Sequence, residues 1–425
     1  MKTSLALGAA LVCAAIVAGS VTGCGKGGDI DGDNLGIGPP YQGGRAGNYT
    51  GEKNFAFLLN HHTKSKAEKT PWVGFWWPYT ANGIASGAGG GGSPAGKYDA
   101  ARGGTRNSQS WEVSQHGAGV PGVQGWWGHC NGWCVAAALF PEPKEAVKVN
   151  GITFGVADIK ALLTEAGMEA SADFYGNRVD WGRDYNSPKL GDVIPNQFFL
   201  VLTNYMGKLR QPVLIDRYTT NQVWNQPLAG YEFAYPSPAD YIGEDPENPG
   251  VFRIKMSGTI WWGEDGVGPG ELTNPFNFQD DRHFTKRTLK MELWLDGPVV
   301  FSGDRVKSSG NVLMVRQGEY LVGGAWKNGG YGSNTHPDYM WVPFSILKPT
   351  TYSNPQIDLA WIKKHILSGG VDDPSVTPVP IPTAPAPGPS DSPGPIPTFT
   401  FPPLPIPTTT PDPQPEPEPQ PDPED

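Results

Sequence analysis

Proline is spread so unevenly along this chain that it confines where a fold can form. About half of the 44 prolines lie after Ser368, and residues 413–425 carry proline at alternate positions. Each proline fixes φ and removes a backbone donor, so the segment 368–425 reads as an extended, polyproline-like tail with almost nothing to bury. The other end is also spent outside a core. Lys2 precedes a small apolar run from Leu5 to Ala18 that is too short to span a bilayer, as in a secretory leader. Its ending, Val21-Thr22-Gly23-Cys24, has the small-small-Cys form of a bacterial lipobox. The expected organisation is a leader over 1–23, a lipidated Cys24, a Gly/Asp-rich tether over 24–48, and one folded unit over 49–367. The corresponding location is the cell envelope, lipid-anchored at the outer surface or periplasmic face, or else secreted.

Alternating Asp29, Asp31 and Asp33 invite a calcium-loop reading, but an EF-hand needs Gly at its sixth position and Glu at its twelfth. Asn34 and Pro40 stand there, so a solvated acidic linker is the better account. A net charge of -10 and a pI near 5.2 argue against nucleic acid and against a polybasic membrane patch. The expected contact with membrane is therefore the lipid alone.

Within 49–367 the aromatic residues supply a large apolar surface: the chain carries 15 Trp, 15 Tyr and 17 Phe. The Gly-rich stretch up to residue 125 reads mostly as loop. A helix is expected over 130–140, stopped by Pro141 and Pro143, and a second over 156–166, where Val156, Ile159, Leu162 and Leu163 share a face. The apolar runs 198–206 and 213–218 read as a buried hairpin. Strands follow over 252–262, 288–295 and 320–326. Helices first and strands later make the class α+β.

Of four cysteines, Cys13 falls in the leader and Cys24 is the proposed anchor, leaving Cys130 and Cys134 in the folded part. One helical turn apart, these two could close only a tiny loop, so a stabilising disulfide is not expected. A metal site using both, with His129 or His116, lacks the second Cys pair of structural zinc sites. A catalytic thiol fits better. A Gly-containing loop delivers Cys130 to the first turn of an apolar helix, where the helix N-terminus favours thiolate and backbone N–H groups can hold an oxyanion. Plain burial of Cys130 stays open beside it, and Cys134 reads as a small packing residue. A thiol nucleophile needs a base and an orienting group. Asp216, ending the buried run Val213-Leu214-Ile215, is a candidate orienter, with a strand-end turn as its alternative.

The segment Val223-Trp224-Asn225-Gln226-Pro227-Leu228-Ala229-Gly230-Tyr231 resembles the elicitor peptide of the transglutaminase elicitor family, secreted oomycete enzymes with bacterial relatives. Cys130-Asn131-Gly132-Trp133 through Pro141-Glu142-Pro143 resembles that family's catalytic-Cys segment. Gly323-Gly324-Ala325-Trp326 and His336-Pro337-Asp338-Tyr339-Met340-Trp341 resemble two further segments.

The resemblance implies a papain-like cysteine-protease or transglutaminase-type core, with the Cys helix on an antiparallel sheet. It implies protein-glutamine γ-glutamyl transfer from Cys130 onto lysine or another amine, with proteins bearing Gln and Lys as partners; a monomer is the expected state. It implies calcium dependence, although no cofactor motif is legible. The family carries His where this chain has Phe199; His336 is then the candidate base beside Asp216, with a Thr335-His336-Pro337-Asp338 turn as its alternative reading and lost activity as the other outcome. Trp126, Trp127, Trp133 and Trp224 are the expected substrate-contacting aromatics. A cysteine peptidase or amidase on the same core, and an inactive surface-binding relative, are the alternatives.

Overall fold

The structure, a computed structural model, describes residues 51–367 apart from 89–90, 177–191, 218–221, 274–277, 280, 318–319, 328–335 and 350–352. The leader, Cys24, the tether and the proline-rich tail lie outside the described residues. Among the described residues no helix is long and apolar enough to cross a membrane.

The chain builds a mixed helical and antiparallel β body around one large sheet. Its strands are β1 (Lys64–Lys66), β2 (Ala170–Gly176), β3 (Leu214–Asp216), β4 (Asn225–Phe233), β5 (Tyr241–Glu244), β6 (Phe252–Gly263), β7 (Phe284–Leu295), β8 (Ala325–Trp326) and β9 (Tyr339–Ile346). The main path runs β8-β7-β6-β4-β3-β9-β2, with β1 beside β4 and β5 beside β6. The longest ladder pairs β6 with β7 from Phe252↔Leu295 to Gly263↔Phe284 without a slip. Alternating residues on β6 and β7 face one core and solvent in turn, the pattern of an antiparallel sheet covered on one side there.

The longer helices are α1 (Phe55–His62), α2 (Pro94–Ala101), α3 (Ser108–His116), α4 (Cys130–Leu139), α5 (Val156–Ala166) and α6 (Pro195–Val201). At β3 and β9 the sheet is covered on both faces. Leu214 and Trp341, which pair across the strands, belong to one core with α4 and α5; Ile215 and Met340 belong to the other with α1 and α6. Every residue of α4 is buried, as befits a helix that is apolar all round and packs on α5, β4 and β9.

Three expectations need correction. Residues 198–206 are not a strand: Pro195 opens α6, and the chain continues as a wide helical turn through Lys208. Phe199 is fully buried in the core against Phe55 and Phe233. A continuously apolar run has no polar phase from which its period can be read, so a buried helix and a buried strand look alike. The stretch before residue 125 carries α1, α2 and α3, weakly patterned helices whose Asn54 and Ser93 caps accept from Phe57 and Gly96 backbone N–H groups. Residues 320–326 form two short strands separated at Gly323-Gly324, where Gly324 has φ +81°.

Candidate active site

Cys130 is the first residue of α4 and is only 2% exposed. Its sulfur lies 3.8 Å from the Val223 carbonyl oxygen and 3.8 Å from Asn225 Nδ2. The orientation of the Asn225 amide is dictated from behind. Its Oδ1 accepts from the Trp341 indole N–H at 3.0 Å and the Tyr339 hydroxyl at 3.3 Å, which leaves Nδ2 to face the sulfur. Asn225 sits directly opposite Asp216 in the β3–β4 ladder, so both side chains rise from the face that carries α4. Asp216 is fully buried, and its Oδ1 accepts from the Trp224 backbone N–H at 2.8 Å. Its strand is interior to the sheet, flanked by β4 and β9.

Cys130 is disulfide-bonded, whereas Cys134 is free and buried. The two helical cysteines are thus not joined to each other. Burial pushes the Cys134 thiol well above its usual range, with Asp265 and Asp216 adding to the effect, in keeping with a packing residue. Burial also raises Asp265 to about 6 despite the nearby Arg217 guanidinium.

The expected partners separate into those that converge and those that do not. Trp224 is half-buried, meets Trp76 edge-on at 5.6 Å between ring centroids, and donates its indole N–H to Gln222 Oε1. Trp76, Trp127 and Trp224 form a partly exposed aromatic margin of the core that holds Cys130. Trp126 is buried at this margin. Trp133 is fully buried with its indole against Gly74, so it supports the helix instead of meeting a substrate.

His336 is not brought to the sulfur. Its ring stacks on Trp326, 4.9 Å between centroids and 7° from parallel, in the core on the opposite face of the sheet. Burial lowers its pKa to about 4, against a hydrogen bond with the Pro337 carbonyl. Trp326 itself is anchored by its indole N–H to the Val193 carbonyl. Asn225 was not among the expected site residues, although it stands at the centre of the Val-Trp-Asn-Gln-Pro segment.

Immediately behind the nucleophile, His129 turns into a buried charged cluster. Its Nε2 lies 2.7 Å from Glu165 Oε2 and 3.0 Å from Glu112 Oε1, and His116 Nδ1 lies 3.4 Å from Glu112 Oε1. Burial opposes the imidazolium of His129, but the two carboxylates outweigh it and raise its pKa. The same pairing holds Glu112 below the usual carboxylate range against its own desolvation. Glu112 and His116, at i and i+4 on α3, were a legible pair that reading this stretch as loop concealed.

The sequence profile described as Transglutaminase elicitor matches residues 111–240, which run from α3 through β4 and include Cys130, Asp216 and Asn225. In three dimensions the chain is similar to the crystal structure of the GP42 transglutaminase from Phytophthora sojae. The TM-score is 0.52 at 19% identity, over 74% of this chain and 92% of that one, a likeness of fold. No curated protein matches the sequence significantly.

Proposed function

Because residues 111–240 belong to the transglutaminase elicitor family, we propose that this protein is a protein-glutamine γ-glutamyltransferase acting through Cys130 at the cell exterior. The observation that carries the reading is the Asn225 amide. Two buried donors fix its oxygen and aim its N–H at a sulfur on the first turn of a buried helix. In the reduced protein the Cys130 sulfur attacks the carboxamide carbon of a glutamine. The C–N bond breaks, ammonia leaves with the thiol proton, and a thioester remains. A lysine amine then attacks the thioester carbon, forms the isopeptide and returns the thiol; water in its place gives deamidation. Asn225 Nδ2 and the N-terminus of α4 are suited to hold the developing oxyanion.

Asp216, opposite Asn225 and bonded to the Trp224 N–H, is the carboxylate assigned to order this corner. Trp224, Trp127 and Trp76 are suited to flank an entering side chain. His336 would have to leave its stack on Trp326 to act as base.

The test is incorporation of a dansyl alkylamine into a glutamine-rich protein, with calcium and with or without a thiol reductant. Wild-type protein is expected to label its target under reducing conditions, and Cys130→Ala to label none. Incorporation that survives Cys130→Ala would sink the proposal. A second reading, an inactive surface-binding relative, is favoured by one observation: His336, the expected base, lies on the far side of the sheet. It predicts no amine incorporation by reduced wild-type protein and sluggish alkylation of Cys130 by iodoacetamide at pH 6.

A further inference from the structure

The cluster behind Cys130 draws its groups from three helical elements: Glu112 and His116 from α3, His129 from the N-cap of α4, and Glu165 from α5. One ligand-type atom from each lies within 4.8 Å of all the others, and all four residues are buried. Their outward-facing atoms are already held. His129 Nδ1 lies 2.9 Å from the Trp77 carbonyl and donates to it, which turns Nε2 inward. Glu165 Oε1 accepts from the Asn354 backbone N–H at 2.6 Å, and Glu112 Oε2 lies 3.4 Å from the Asn354 side-chain amide. The inward atoms are left over: His129 Nε2, His116 Nδ1 and Glu165 Oε2 are sealed from solvent and make no well-formed hydrogen bond among the described residues.

A hydrogen-bonded outer ring that fixes each ligand, with lone pairs converging inside, is how proteins hold a metal ion. Two buried carboxylates facing imidazole nitrogens need positive charge between them. One proton on His129 cancels only half of their charge; a divalent cation cancels all of it. Glycine at position 83 keeps the space clear, since a Cβ there would collide with Glu112 Oε1 and come within 2.6 Å of His129 Cε1.

We propose that Glu112, His116, His129 and Glu165 form a binding site for one divalent transition-metal ion of the zinc class, which pins the loop that delivers Cys130. Two nitrogen donors suit zinc and are foreign to the all-oxygen shells of calcium. Four ligands about 2.0–2.1 Å from a tetrahedral ion stand about 3.4 Å from one another. The three close separations here, 2.7, 3.0 and 3.4 Å, reach that spacing with changes of at most about 0.7 Å. The ion displaces the proton from His129 Nε2, which is released to solvent. Its role is structural, because all four protein ligands close the coordination sphere, and it is independent of the acyl-transfer reading.

The experiment uses purified protein stripped with a chelator and titrated with Co2+ as a spectroscopic stand-in for zinc. The expected result is a visible absorption spectrum of a tetrahedral ion bound by nitrogen and oxygen. It should saturate at one equivalent, lack a thiolate charge-transfer band, and be abolished by one equivalent of Zn2+. Glu165→Gln and His116→Gln should each lose it, whereas His283→Gln, which alters a separate His–carboxylate group at the surface, should keep it. The wild-type spectrum decides the matter even if Glu165→Gln misfolds, because it reports ligand type directly. Failure of the stripped wild-type protein to bind Co2+ or Zn2+ stoichiometrically overturns the proposal. So does a spectrum that survives in both cluster variants, carries thiolate ligation, or disappears in His283→Gln.

Discussion

Asn225 illustrates how one amide acquires a direction. Its oxygen accepts from an indole N–H and a phenol of β9, and its nitrogen faces the Cys130 sulfur. Asn225→Ala removes a donor at the reacting atoms and should lower the rate of amine incorporation about a hundredfold, the size of effect seen when an oxyanion donor is deleted. Asn225→Asp should be worse still, since a carboxylate would face the thiolate. Steady-state rates with the dansyl amine check both; Asn225→Ala activity near wild type would remove Asn225 from the chemistry. At this scale the residues that look chemical in one dimension were only partly informative. Cys130 and Asp216 could be singled out because each ends or begins an apolar run. His336 could not be placed, because which face of a sheet a loop histidine enters depends on strand pairing far from it.

The contact between α4 and α5 is set by two glycines. A Cβ on Gly132 would run into the Thr164 carbonyl and the Met168 sulfur, and a Cβ on Gly167 into the Gly132 carbonyl. The nearest obstacle at each is a backbone carbonyl, which cannot step aside as a flexible side chain can. Gly132→Val should therefore force the helices apart and cost about 1–3 kcal/mol or more by overpacking. A denaturant midpoint unchanged from wild type would contradict this. Helices 130–139 and 156–166 were legible because proline or glycine closes each of them and the second has a clear apolar face. The α6 segment was misread because it is apolar throughout, and α1 to α3 because short helices with mixed faces carry little periodic signal. What defines those three is capping and packing.

For the molecule as a whole, buried His336 couples stability to pH. Its folded pKa, about 4, lies below the ordinary value of 6.5, so the folded state prefers the neutral ring. The stabilisation is fully present above pH 6.5 and is lost as pH falls toward 4, at a cost of about 3 kcal/mol over that window. Asp265, raised to about 6, slopes the other way: its contribution is present below its ordinary 3.8 and is lost as pH rises through 6. Comparing wild type with His336→Gln isolates the histidine. The variant should lose less stability than wild type between pH 6.5 and 4, and parallel curves would show that His336 does not couple to folding.

Removing residues 368–425 should leave the melting temperature within about a degree of the full chain, because a proline-dense segment has little apolar surface to add to a core. A drop of several degrees would show that the tail packs on the body. The helix-then-strand order of the body, the Cys-bearing helix and the family segment around Asn225 were encoded locally, in composition, apolar period and motif, and could be read from the chain alone. Tertiary structure alone decided that Asn225 faces the sulfur, that His336 lies behind the sheet, and that Glu112, His116, His129 and Glu165 meet. Those outcomes depend on which distant backbone segments pair, and a buried polar group takes whatever partner that pairing brings within reach.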